Sequence, residues 1–148
     1  MMRRVWTDDH IDADYPVHGA RFRSMRALPQ PVGHLPIWIG GHAGVAIDRA
    51  IRVGDGWHGA FLTPDETRTR VATLRSARPE SDFTISMRTR WDPLVDDRDE
   101  IVAELEQYLD IGVDHFVAEP SQRTLDGYLQ SVEALAELFR CAGVEMAT

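Results

Sequence analysis

The chain has 148 residues, 43% hydrophobic and 27% charged, the composition of one ordinary folded domain, which excludes a disordered or collagen-like polypeptide. Its longest uncharged stretch, Ala27 to Ile47, is broken by Pro29, Pro31, Gly33, His34 and Pro36, so it cannot form a membrane-spanning helix, and the polar run Thr7-Asp8-Asp9-His10 excludes the apolar core of a secretory signal. A single cysteine, Cys141, permits no internal disulfide, and a cytoplasmic, reducing compartment is the expectation.

The net charge of −8 is unevenly spread: residues 1–91 carry 13 arginines against 10 acids, while residues 92–148 carry 3 arginines against 14 acids. That excess of acid argues against a nucleic-acid partner. The modestly basic first part suits either a small phosphorylated ligand or arginines simply solvated on helix faces. Every basic residue is arginine, a bias that reads as GC-rich coding and says little about a site.

In chain order, residues 1–35 stand apart: Asp12 to Arg23, with Pro16 and Gly19, reads as an irregular loop or small hairpin, and Leu28-Pro29-Gln30-Pro31 as an extended connector. From residue 36 a strand–helix rhythm begins. Pro36-Ile37-Trp38-Ile39-Gly40-Gly41 predicts a short buried strand, followed by a helix from Gly44 with Ala46, Ile47, Ala50, Ile51 and Val53 on one face and Gly54 as its stop. Asp55-Gly56-Trp57-His58 predicts the next strand. Thr63, Pro64 and Glu66 form a capping-box start for a helix that must end near Pro79. Residues 83–90 alternate apolar and polar, the period of a strand with two different faces. Asp97-Arg98-Asp99-Glu100 repeats the capping pattern for a helix running to Gly112. His115-Phe116-Val117-Ala118 predicts the last strand, and Leu125 to Phe139 the last amphipathic helix, with Cys141 in a tail beyond it and Trp38 as a core residue. Four strand–helix units predict a parallel α/β sheet or barrel, of which a closed barrel needs eight.

Two runs carry a family likeness: Pro36-Ile37-Trp38-Ile39-Gly40-Gly41-His42, and Ala50-Ile51-Arg52-Val53-Gly54-Asp55-Gly56-Trp57-His58. Together with Arg4 to Asp9, Gly19-Ala20-Arg21-Phe22, Leu28 to Pro31 and Gly112 to Val117, they make the sequence resemble the luciferase-like monooxygenase superfamily, in particular its oxidoreductases that use coenzyme F420. The resemblance implies half of a (β/α)8 TIM barrel: residues 1–35 as a helix end and inter-strand insertion, and residues 36–148 as strands five to eight with their helices. It also implies a fragment of a flavin- or deazaflavin-dependent oxidoreductase acting on a small organic substrate, by monooxygenation or hydride transfer. Coenzyme F420 is the expected cofactor and FMN the alternative, and activity would require the first half of the barrel. The partners to expect are a complementing half-barrel or further copies of the chain, because a half-barrel leaves two sheet edges open. A non-catalytic, self-associating α/β module, with or without a phosphate ligand, is the other reading.

Among individual residues, Gly41, His42, Ala43 and Gly44 lie between a strand and a helix. Backbone amides there can approach a phosphate closely, as the resemblance implies, or the glycines can serve a tight turn that binds nothing. His58 ends its strand, where it would meet substrate or cofactor, or merely bridge strand and loop. Arg88 and Glu119 sit at the ends of neighbouring strands, as an ion pair at the barrel mouth or, for Arg88, as an anion site. His10, His18 and His34 have no partners at metal-ligand spacing, so no metal is expected.

Overall fold

The computed structural model describes residues 2–144, in two units divided between Leu35 and Pro36. In the first unit, helix α1 (Met2–Thr7) leads to strands β1 (Ile11–Tyr15) and β2 (Ala20–Met25), joined by a single 3-10 turn, Pro16–His18. The expected small hairpin is therefore present: β1 and β2 pair antiparallel, with Tyr15 opposite Ala20 and Ala13 opposite Phe22. Asp14 draws Arg23 (2.9 Å) and Arg21 (3.1 Å) across the pair. The Gln30 amide donates to the Asp8 carbonyl at 2.9 Å and so fastens the connector to the end of α1.

The second unit is an α/β layer of strands β3 (Trp38–Gly40), β4 (Gly56–Ala60), β5 (Thr84–Thr89) and β6 (His115–Ala118), alternating with helices α2 (Gly44–Val53), α3 (Pro64–Ala77), α4 (Arg98–Ile111) and α5 (Leu125–Cys141). The strands lie in chain order, β3-β4-β5-β6, and every pair is parallel. Helices must connect parallel neighbours, so the alternation seen in the sequence dictates this layer. An eight-stranded barrel opened at two edges has this arrangement, and half of a (β/α)8 barrel is compatible with it. Among the described residues no helix is long and apolar enough to cross a membrane.

Local chemistry sets the helix boundaries. The Thr63 hydroxyl accepts from the Glu66 amide and the Glu66 carboxylate accepts from the Thr63 amide, the reciprocal cap that the sequence predicts for α3. Asp97 caps α4 through the amides of Asp99 and Glu100. Gly54 follows α2 as expected, but in an extended conformation (φ −83°) and not in the left-handed one of a typical glycine stop. Helix α5 runs on through Cys141, so the cysteine lies in the final helical turn, exposed, and not in a tail.

One face of the sheet is covered by the helices. Trp57, Phe83, Ile85 and Met87 are completely buried there against Ala50, Leu74, Leu105 and Tyr108. Trp91 closes this layer near the end of β5, its ring 5.7 Å from Phe116 and 5.6 Å from Phe139. At the opposite end of the strands, Arg75 bridges the Phe83 carbonyl and the Asp114 carboxylate, and Asp114 in turn accepts from the Ile85 amide at 2.8 Å. Arg78 donates to the carbonyls of Ile51 and Gly54 at 3.0 Å while its guanidinium lies 4.7 Å from the Phe83 ring. These contacts lock the amino-terminal ends of the strands and leave the carboxyl-terminal ends for chemistry.

Candidate functional site

The turn from β3 into α2 is built from backbone. Gly41 has φ +115°, which a side chain rarely adopts, and a Cβ there would meet the Ala46 Cβ at 3.1 Å. Its carbonyl is pinned by the Trp57 indole N–H at 2.8 Å. Ala43 occupies the N-cap position of α2 and has no side chain that can cap, so the amides of Ala46 and Ile47 turn to the Ala43 carbonyl. The amides of Gly44 and Val45 have no acceptor among the described residues. His42 accepts the Ala60 amide on Nε2 at 3.3 Å, and its neutral form therefore carries the proton on Nδ1. Arg70 donates to the His42 carbonyl at 3.4 Å. A cleft of about 440 Å³ beside the turn is lined by His42, Gly44, Asp48, Glu66 and Arg70. Two unsatisfied amides at a helix N-terminus fit a phosphate group.

The second cluster lies on the sheet face away from the helices. Strand register places Gly40, His58, Ser86 and His115 at one level across β3 to β6. Ser86 Oγ is 2.9 Å from His58 Nδ1 and 2.9 Å from His115 Nδ1. His58 is held below the usual histidine range first by burial, then by the charges of Arg88 and His115. The Trp38 ring meets His115 edge-on at 5.0 Å. Trp38 is 37% exposed, so it belongs to this open face and not to the core where its hydrophobicity placed it. It lies across Gly56, where a Cβ would stand 2.9 Å from the indole Cδ1.

At the next level up β5, Arg88 Nη1 lies 3.5 Å from Glu119 Oε2, the juxtaposition that parallel register requires of neighbouring strand ends. Phe61, left-handed at φ +56°, donates its amide to the Arg88 carbonyl at 2.8 Å. Its ring receives the Arg90 guanidinium at 4.1 Å and that of Arg88 at 5.9 Å. Phe61, Arg88 and Arg90 line a 570 Å³ cleft together with the acidic Asp96, Asp97, Glu100 and Glu104.

Asp92, just past β5, is 1% exposed. Burial pushes its carboxyl up, yet hydrogen bonds from Ser131, Ser121, Gln122 and the Leu94 amide outweigh burial and hold it down at about 2. It joins the end of β5, the loop after β6 and helix α5.

The residues expected at the site thus fall in three places: Gly41 to Gly44 at the α2 turn, His58 on the sheet face, and Arg88 with Glu119 at the strand ends. Ser86, His115 and Phe61 complete these clusters and Asp92 forms a separate one, without having stood out in the sequence. The level of Ser86 and His115 with His58 is set by register between strands, and nothing local marks these residues or Asp92.

The family model for luciferase-like monooxygenases matches residues 1–144 of the chain. Among solved structures, an F420-dependent secondary alcohol dehydrogenase in complex with an F420-acetone adduct superposes with a TM-score of 0.74 at 12% identity, over 93% of this chain and 58% of that one. A phosphonopyruvate hydrolase gives a TM-score of 0.48 at 18% identity, over 66% of this chain and 40% of that one. No curated protein matches. The first similarity establishes the fold, and the chain spans 58% of that dehydrogenase's length.

Proposed function

The chain belongs to the luciferase-like monooxygenase family, and we propose that it supplies the phosphate anchor and one half of the ligand wall of a flavin- or deazaflavin-dependent oxidoreductase acting on a small organic substrate. Coenzyme F420 is the cofactor this reading favours, because the similar solved dehydrogenase is F420-dependent; FMN is the alternative. When bound, such a group supplies the redox chemistry itself, and the protein binds, orients and shields it.

One observation carries the reading: the amides of Gly44 and Val45, at the positive end of α2, have no acceptor among the described residues. On the sheet face, His58 and the Arg88–Glu119 pair form the wall that a ring and a substrate would contact. The rest of that wall would come from a complementing half-barrel or a second copy of the chain, since β3 and β6 each pair on one side only.

Light scattering coupled to size exclusion, with cofactor absorbance followed, tests this. Coenzyme F420 should co-elute with the chain at a defined size, and a complementing half should confer turnover. Elution of the protein free of both cofactors, with and without that half, contradicts the reading. The exposed apolar residues Leu125, Leu129 and Val132 on α5 favour, as a second reading, a non-catalytic self-associating module, which predicts a stable oligomer that binds neither cofactor.

A further inference from the structure

The cleft at the end of β5 is lined by two charges of opposite sign that no described residue pairs. Arg90 stacks on the Phe61 ring at 4.1 Å and makes no ion pair among the described residues, whereas Arg88 beside it is paired with Glu119 at 3.5 Å. Phe61 holds its ring there from a left-handed backbone, φ +56°, with its amide on the Arg88 carbonyl; backbone strain of this kind gathers at ligand sites. The carboxylates of the cleft are committed to the protein with one exception. Asp96 accepts the Asp92 amide at 2.9 Å, Asp97 the amides of Asp99 and Glu100, and Glu104 the Trp91 indole and the Tyr108 hydroxyl. Glu100 is exposed, and its carboxylate bonds to no described residue. Acids alone would mark only a solvated helix start, but the floor of the cleft carries an independent mark. Thr89 is 5% exposed and lines the cleft, on the same side of β5 as Met87 and so toward Ile101, Glu104 and Tyr108 of α4. Its Oγ1 has no partner among the described residues. A buried hydroxyl left unpaired is costly, and an occupant of the cleft relieves that cost.

We propose that this cleft is a binding site for a small zwitterion, a molecule with one carboxylate and one ammonium in the manner of a free amino acid. Arg90 takes the carboxylate, Glu100 the ammonium, and the Thr89 hydroxyl donates to the carboxylate from the floor. Arg90 and Glu100 line the same cleft yet form no ion pair with each other, so a single molecule carrying both charges satisfies both. A simple anion would meet the surplus of carboxylates, and a simple cation the two guanidiniums. Among the described residues no group of three acids, histidines or cysteines is placed to hold a metal ion, which leaves an organic ammonium as the cation that Glu100 suits. The 570 Å³ volume is that of a small-molecule site. The cleft shares no residue with the α2 turn, so it stands independently of a cofactor there.

Amide ¹H–¹⁵N spectra of the labelled, cofactor-free chain test this, titrated with glycine, β-alanine and γ-aminobutyrate, and with acetate and methylammonium as the separate halves. Shifts should appear within residues 88–104, which hold most of the lining. The best zwitterion should bind at least about tenfold more tightly than either half, because linking makes the second contact intramolecular. Arg90→Gln should bring it down to the affinity of methylammonium, and Glu100→Gln to that of acetate. Both side chains are exposed, so these variants keep the fold, which unchanged shifts elsewhere verify. Thr89→Val should weaken the zwitterion about three- to tenfold, and Thr89→Ser, which keeps the hydroxyl, should bind as wild type. The proposal is overturned by an absence of shifts in this segment with every zwitterion even at about 100 mM, or by zwitterions that bind no more tightly than their halves. Binding indifferent to both charge variants, or a folded Thr89→Val that binds as wild type, also overturns it. The titrations contain no cofactor, so failure to bind coenzyme F420 or FMN counts against the proposed function alone.

Discussion

Replacing Asp92 by asparagine removes a buried charge that no cation among the described residues neutralises and leaves its shape almost unchanged. Asp92 Oδ2 accepts from the Ser121 amide (3.0 Å), the Ser121 hydroxyl (2.7 Å) and the Gln122 amide (2.9 Å), while Oδ1 accepts from the Leu94 amide (3.2 Å) and the Ser131 hydroxyl. Its carboxyl lies at about 2, against an ordinary 3.8, a difference equivalent to about 2.5 kcal/mol of folding stability. Because the folded value is depressed, this stability is fully present above about pH 4 and is lost as pH falls from there toward 2. In Asp92→Asn, one of the two oxygens becomes an NH₂ that faces donors, and we expect a loss of about 2–4 kcal/mol at pH 7. Urea unfolding of both chains, at pH 7 and in steps down to about pH 3, measures the loss as a shift in midpoint at constant slope. The gap between the two chains should narrow through the acid range, since only the wild type loses the Asp92 contribution there. A variant within about 0.5 kcal/mol of wild type at pH 7, the range of ordinary surface changes, or a gap that stays constant with pH, refutes the reasoning.

Other expectations follow from single contacts. Gly56→Ala forces a Cβ to 2.6 Å from the Thr84 carbonyl and 2.9 Å from the Trp38 ring; thermal unfolding should show a loss of about 1–3 kcal/mol, accompanied by a change in indole fluorescence. Thr63→Ala removes one side of the α3 capping box and should cost about 1 kcal/mol in urea unfolding. The Arg88–Glu119 pair is half exposed, so a double-mutant cycle with alanine at each position should give a coupling energy below about 1 kcal/mol. A larger coupling would mean that the pair is screened from water.

What the sequence made legible is what local chemistry controls. Thr63, Asp97 and Gly112 each act within a few residues of themselves, and the helices they bound lie where predicted. Strand His115–Ala118 was bracketed by glycine and polar residues and is found with those bounds. The Ser86 bridge, in contrast, depends on register between strands 28 and 29 residues apart, and Asp92 meets Ser131 across 39 residues. Such pairings follow from the sheet as a whole and leave no mark on either segment. Trp38 illustrates the same limit: hydrophobicity assigns it to a core, but the parity of its strand puts it opposite Gly56, on the face that four strands leave open. Cys141 joined α5 because Leu135 and Phe139 bury the helix to its last turn.

The claim on which the functional account rests is that free amides at the start of α2 hold a cofactor phosphate, and Gly44→Pro tests it with least disturbance. Proline suits the first helical position, and Ala43 before it is already extended (φ −69°, ψ 150°), so the substitution removes one N–H donor and leaves the helix intact. Titration calorimetry with coenzyme F420 should give binding about ten- to a hundredfold weaker for this variant than for wild type, the cost of about 1.5–3 kcal/mol for a hydrogen bond to a charged group. Equal affinity in the two chains, with helix content unchanged by circular dichroism, would contradict the account.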